Sequence, residues 1–108
     1  MRTPILIGLL AAALAALSTG AEALSPAAQR GLVFVQTNCS MCHAVGRYGA
    51  SPLALAPPFR TLHERYPVED LAEALAEGIV VGHPSMPQFT LDPAQIDDVI
   101  AYLKSLEE

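Results

Sequence analysis

The chain has 108 residues, a formal net charge of −5 and an apolar content of 52%, with two cysteines and no tryptophan. That length allows one domain, near the size at which a hydrophobic core alone is marginal, and two cysteines cannot build a dense disulfide framework, so another staple is expected. The sign of the charge excludes a nucleic-acid binder, which needs a basic stripe; it suits a basic partner surface and equally keeps a small domain soluble.

Residues 1–23 read as an export signal. Arg2 supplies a short positive start, Ile5 to Leu17 an apolar stretch, and Ala21-Glu22-Ala23 a small-residue cleavage site. The apolar stretch is shorter than the roughly 20 residues a membrane span needs. Cleavage is expected after Ala23, with Ala21 as the alternative site; an uncleaved anchor, which would tie the protein to a membrane, is the other reading. A single arginine before the apolar stretch does not fit a twin-arginine route. Residues 24–108 then form the mature domain, and export sends its two thiols out of the reducing cytosol into the periplasm.

Ser25-Pro26 opens a first helix as N-cap and N1, and Ala28, Leu32 and Val35 line one face with Gly31 beside them. A glycine inside a helix costs up to ~1 kcal/mol against alanine, so Gly31 signals close approach of another helix. The helix runs to about Asn38 and delivers the chain into Cys39-Ser40-Met41-Cys42-His43. Cys-x-x-Cys-His is the pattern of covalent c-type haem attachment. Positions i and i+3 of a helical turn share a face, so both sulfurs can reach the vinyl edges of one porphyrin, and the histidine that follows can offer Nε2 to the iron.

From Ala44 to Arg60 the pattern loses its period, and Gly46, Gly49, Pro52, Pro57 and Pro58 mark an ordered loop long enough to wrap a flat cofactor. Thr61 to Tyr66 predicts a short helical turn. A second helix is expected over Val68–Gly78, with Val68, Leu71, Ala72, Leu75 and Ile79 on one face, Glu69, Glu73 and Glu77 on the other, and Gly78 as its stop. That acidic stripe reads as a solvated face rather than a docking site. After a second loop, Ile79–Leu91, Asp92-Pro93-Ala94-Gln95 supplies an N-cap, an N1 proline and the glutamine of a capping box. The last helix runs to about Leu106 and buries Ile96, Val99, Ile100 and Leu103, with Tyr102 beside them. No strand or internal repeat is legible, so the architecture is all-α: three to four helices with long loops wrapped around one covalent haem.

With His43 on one side of the iron, the opposite axial position needs a ligand. Met41 lies between the cysteines and must point away, and His63 sits on what reads as a surface turn. Met86 stands in a loop stiffened by Pro84 and Pro87, which suits the presentation of one side chain at a fixed place. A thioether on iron raises the reduction potential and suits reversible one-electron transfer. His83 is the rival and would imply a lower potential.

These residues resemble the class I, monohaem, bacterial-type cytochrome c family over essentially all of residues 25–107. The resemblance rests on the first helix, Cys39-x-x-Cys42-His43, the Ala56-Pro57-Pro58-Phe59 turn, the Met86-Pro87 loop and a last helix bearing Tyr102. It implies that Gly31 packs against an aromatic of the last helix, with Tyr102 and Val99 as the matching positions. Val35 stands where family members carry a larger aromatic. The resemblance also implies that a loop proline, best matched by Pro57 and next by Pro58, accepts the Nδ1–H of His43, which fixes the ring and strengthens its donation. Arg47, Tyr48 and Arg60 are the propionate-contact positions it offers. The lysine ring of mitochondrial members is missing, because Lys104 is the only lysine.

The function expected is a periplasmic carrier of single electrons between redox proteins, not an enzyme on its own, working as a monomer or as a subunit of a complex. The haem subunit of a larger dehydrogenase is a close variant. An open-site haem sensor or enzyme would require Met86 to be labile and His83 to act as a distal group. Zinc binding lacks the H-x3–5-H spacing, and a thioredoxin-like pair lacks a βαβ pattern.

Overall fold

The computed structural model describes residues 23–78 and 86–107. The expected leader up to residue 22, Ile79 and the rival axial residue His83 therefore lie outside the described residues. Three α-helices carry the fold: α1 (Pro26–Asn38), α2 (Leu71–Glu77) and α3 (Pro93–Ser105), with 3-10 helices at Phe59–Glu64 and Val68–Asp70. The described residues contain no strand, and none of their helices is long and apolar enough to cross a membrane. The all-α expectation holds.

The caps written in the sequence form. Ser25 Oγ accepts the Ala28 N–H at 3.1 Å and starts α1 with Pro26 in its first turn. At α3 the Asp92 carboxylate accepts the Gln95 N–H at 2.9 Å while Gln95 Oε1 accepts the Asp92 N–H at 3.1 Å, a complete capping box. α1 buries Ala28, Gly31 and Val35, and α3 buries Ile96, Val99, Tyr102 and Leu103. Spacings of three and four put each set on one face, and the two faces meet. At the crossing, a Cβ on Gly31 would overlap the Asp98 carbonyl oxygen and lie 2.8 Å from Tyr102 Cβ. Only glycine lets the backbones come this close. On the exposed rim of the crossing, Arg30 Nε and Nη2 fork onto the two Asp98 carboxylate oxygens at 3.0 and 3.1 Å.

Two boundaries differ from expectation. The first 3-10 helix begins at Phe59 rather than Thr61, because the Pro58 carbonyl accepts both the Thr61 N–H, at 3.0 Å, and the Thr61 hydroxyl, at 2.8 Å. The helix expected from Val68 winds as a 3-10 turn before becoming α2 at Leu71. Neither Pro67 nor Asp70 supplies a side-chain cap there, so the first turn tightens and satisfies its own backbone groups, the Leu71 N–H being shared between the Val68 and Glu69 carbonyls. Val68 is buried, and Leu71, Ala72 and Leu75 pack against the core. Gly78, at φ 95°, ends α2 as predicted. Beyond the undescribed residues the Leu91 N–H donates to the Leu75 carbonyl at 2.9 Å. A Cβ on Gly78 would also meet Gln88 Cδ at 3.1 Å. Both limbs of the Met86 loop are thus brought back together at its base.

Lys104 of α3 forms an ion pair with Glu69 of the second 3-10 helix. The shared hydrogen bond holds the Glu69 carboxyl below its ordinary 4.5 and raises the Lys104 ammonium above its ordinary 10.5. The Glu69 contribution is therefore present above pH 4.5 and lost as pH falls through its depressed value. The Lys104 contribution is present below pH 10.5 and lost as pH rises through its raised value. Glu69→Gln is expected to lower the urea midpoint slightly at neutral pH, with the gap to the parent protein closing below pH 4.5 and in high salt. Urea titrations across pH 3–8 check this.

Candidate haem site

α1 ends in the residues that carry the chemistry. The Cys39 N–H closes the helix on the Val35 carbonyl at 2.8 Å, and the Cys42 and His43 N–H groups fold back onto the Cys39 carbonyl at 3.2 and 3.0 Å. One turn of backbone thus holds both thiols and the imidazole. Both cysteines are free and half-buried, and burial pushes the Cys39 thiol up to about 11. A thiol held protonated is the reverse of what a disulfide-exchange nucleophile needs, since such groups are depressed by positive charge or a helix N-terminus. Among the described residues no group of three or more His, Cys, Asp or Glu side chains could hold a metal ion directly. The zinc reading therefore finds no ligand set in them.

His43 Nδ1 lies 2.8 Å from the Pro57 carbonyl oxygen. A carbonyl only accepts, so the proton sits on Nδ1 and the Nε2 lone pair is left for a metal. The Phe59 ring packs against the imidazole, with centroids 4.8 Å apart and planes tilted by 41°. The chain from 44 to 58, without regular structure, is fixed by hydrogen bonds. The Ala44 N–H donates to Ser51 Oγ at 3.0 Å. The Leu53 N–H donates to the Cys42 carbonyl at 3.1 Å, and the Phe59 N–H to the Ala44 carbonyl at 2.9 Å. From α3 the Tyr102 hydroxyl donates to the Val45 carbonyl at 2.5 Å. In return Arg47 Nη2 donates to the Ser105 carbonyl at 2.6 Å.

The structure thus assembles Cys39, Cys42, His43 and Pro57 into one cluster. Met86 is half-buried and is the first described residue after Gly78; no described hydrogen bond joins it to that cluster. Met41 is 87% exposed, in keeping with a side chain turned outward. His63, expected at the surface, is half-buried and lines a shallow groove with Tyr66, Glu69 and Lys104. Of the propionate-contact positions, Tyr48 is exposed, Arg47 engages the end of α3, and Arg60 encloses Nη1 without a described hydrogen-bond partner. Three participants escape sequence reasoning: the Ser51 hydroxyl, the Phe59 ring and the Val45 carbonyl. Only the aromatic of the Pro-Pro-Phe turn left a local signal.

Two half-buried thiols on one turn, followed by an imidazole whose Nδ1 is already committed to the Pro57 carbonyl, are what covalent attachment of a haem asks for. The comparisons agree. Residues 28–107 match the family model described as cytochrome c. Cytochrome c-552 of Bradyrhizobium diazoefficiens is 32% identical over 93 residues, covering 86% of this chain and 88% of that protein. A cytochrome c-553-like protein of Synechocystis sp. is 30% identical over 84 residues, covering 78% of this chain and 73% of that one. No solved structure matches the chain. The match spans the helical clamp as well as the attachment turn, so the chain belongs to the cytochrome c family, which carries electrons between redox proteins on the iron of a covalently bound haem c.

Proposed function

We propose that this protein is an exported, periplasmic electron carrier whose haem is fixed by thioethers at Cys39 and Cys42 and whose iron is held between His43 and Met86. Residues 1–23 act as the export leader and 24–108 as the carrier domain. The observation that carries the reading is the 2.8 Å bond from His43 Nδ1 to the Pro57 carbonyl, which leaves Nε2 to the iron and orients the ring. Bound haem c supplies a one-electron ferric/ferrous couple. The chain's own residues hold it, exclude water from it and keep both axial positions filled, so little reorganisation accompanies transfer. That is the chemistry of a carrier, not of an enzyme with an open iron position.

Expression of the full chain in an exporting host with haem-attachment machinery tests this. The expected product is a periplasmic protein, cut near Ala23, with sharp low-spin bands and haem that survives acid–acetone extraction. Cys39→Ala combined with Cys42→Ala should release all of the haem to the solvent phase. A folded, colourless parent protein overturns the reading, and a high-spin ferric spectrum overturns its two-ligand part. Recovery in a stable complex with a dehydrogenase would replace the free carrier with the subunit variant.

A further inference from the structure

The segment that follows the attachment turn is held by a further contact that the His43–Pro57 pair does not include. Tyr102 is 4% exposed, and its Cβ lies against Gly31 where α3 crosses α1. Its hydroxyl reaches past the crossing to the Val45 carbonyl, two residues beyond His43, at 2.5 Å. The His43 N–H ties the start of that segment to the Cys39 carbonyl at the end of α1, and its remaining contacts run to residues 51–59. Ala44 is bonded through its N–H to Ser51 Oγ and through its carbonyl to the Phe59 N–H. His43 Nδ1 and the Ala44 carbonyl are therefore two neighbouring rungs between segments 43–45 and 57–59, at 2.8 and 2.9 Å. Tyr102 ties one side of that ladder to the rigid helix pair. Burial raises the Tyr102 hydroxyl above its ordinary value of 10, so it stays a donor throughout the neutral range.

We infer that Tyr102 is a positioning residue for the proximal ligand: by fixing the Val45 carbonyl to α3, its hydroxyl sets the strength of the His43–Pro57 hydrogen bond and with it the redox balance of the iron. The inference rests on His43 as the axial ligand. A strong bond from Nδ1–H to a carbonyl gives the imidazole more anionic character, and that favours the ferric state. Loosening the ladder lengthens the bond and favours the ferrous state.

Tyr102→Phe keeps the Cβ against Gly31 and the buried ring, and removes only the donor. At the midpoint potential of the parent protein its ferrous-to-ferric ratio is expected to rise about threefold, part of the value of one buried hydrogen bond. The His43 ring resonances in the paramagnetic proton spectrum should move with it. Arg30→Ala is the control. It removes the Arg30–Asp98 fork that joins the same two helices, so it loosens the helix pair away from the loop and should leave ratio and resonances unchanged. A Tyr102→Phe protein that loses urea resistance but keeps the parent's ratio and resonances overturns the inference and makes the hydroxyl merely structural. So does an equal shift in both variants. Parent protein without covalent haem would instead sink the functional reading, which the visible spectrum reports separately.

Discussion

Gly31→Ala is expected to destabilise the protein by about 2 kcal/mol or more, although alanine is the better helix former. The propensity gain in a helix interior is at most ~1 kcal/mol. Against it stands a Cβ driven into the Asp98 carbonyl oxygen and the Tyr102 Cβ. The first of these is backbone and cannot swing aside, so α1 and α3 must separate, and overpacking of this kind costs ~1–3 kcal/mol and sometimes more. Separation also parts Val35, Val99 and Leu103, which are buried in the core around the two helices. For a domain whose whole stability is ~5–15 kcal/mol, that is a substantial fraction. Gly46→Ala is the informative contrast. It has nothing within 4 Å of the added methyl and no positive φ, so it should be neutral or stabilising by ~0.4–1 kcal/mol through the unfolded chain. Urea midpoints of the two variants decide between local geometry and a general intolerance of glycine loss.

The same glycine shows what could be read from the sequence. An unexplained glycine on an apolar helical face requires a close neighbour, and the neighbour is α3. Caps were equally legible, because Ser25, Asp92 and Gln95 act on N–H groups three residues away or fewer and need no tertiary partner. The attachment turn was legible for a similar reason: its chemistry lies within Cys39–His43. What stayed hidden is long-range. Nothing local marks the Val45 carbonyl as the acceptor for Tyr102, or the Ser105 carbonyl as an acceptor for Arg47. The loop 44–58 has no period because its order comes from these scattered bonds rather than from a repeating backbone geometry. Its proline at 57 could be matched only through the family resemblance, since spacing alone cannot tell which of two adjacent carbonyls faces an imidazole.

Those bonds also divide the site into two halves of different character. The proximal half, His43 with Pro57, Phe59 and the turn of two cysteines, is locked by hydrogen bonds to α1, the loop and α3. The half that holds Met86 is built otherwise: the loop is closed at its base by the Leu75–Leu91 bond and the Gly78–Gln88 contact, and Phe89 and Leu91 join the core. Among the described residues that half is held at its base and no hydrogen bond reaches the Met86 side chain. A change at position 86 should therefore alter the iron while leaving the fold standing.

Met86→Ala is accordingly expected to produce a large functional change without loss of the fold. Helix content and haem retention should match the parent protein, because Cys39, Cys42 and His43 are untouched. The ferric near-infrared charge-transfer band of His/Met ligation should vanish. The ferrous protein should bind carbon monoxide within the mixing time. The ferric-to-ferrous ratio at the parent's midpoint should rise ~tenfold or more, since a thioether favours the ferrous state over water or hydroxide in its place. Met86→His separates the loss of a ligand from the loss of sulfur: it should restore a low-spin iron that resists carbon monoxide, while the ratio stays on the ferric side. If Met86→Ala keeps its near-infrared band and His83→Ala loses it, the axial assignment moves to His83, and the proximal half of the site stands as described.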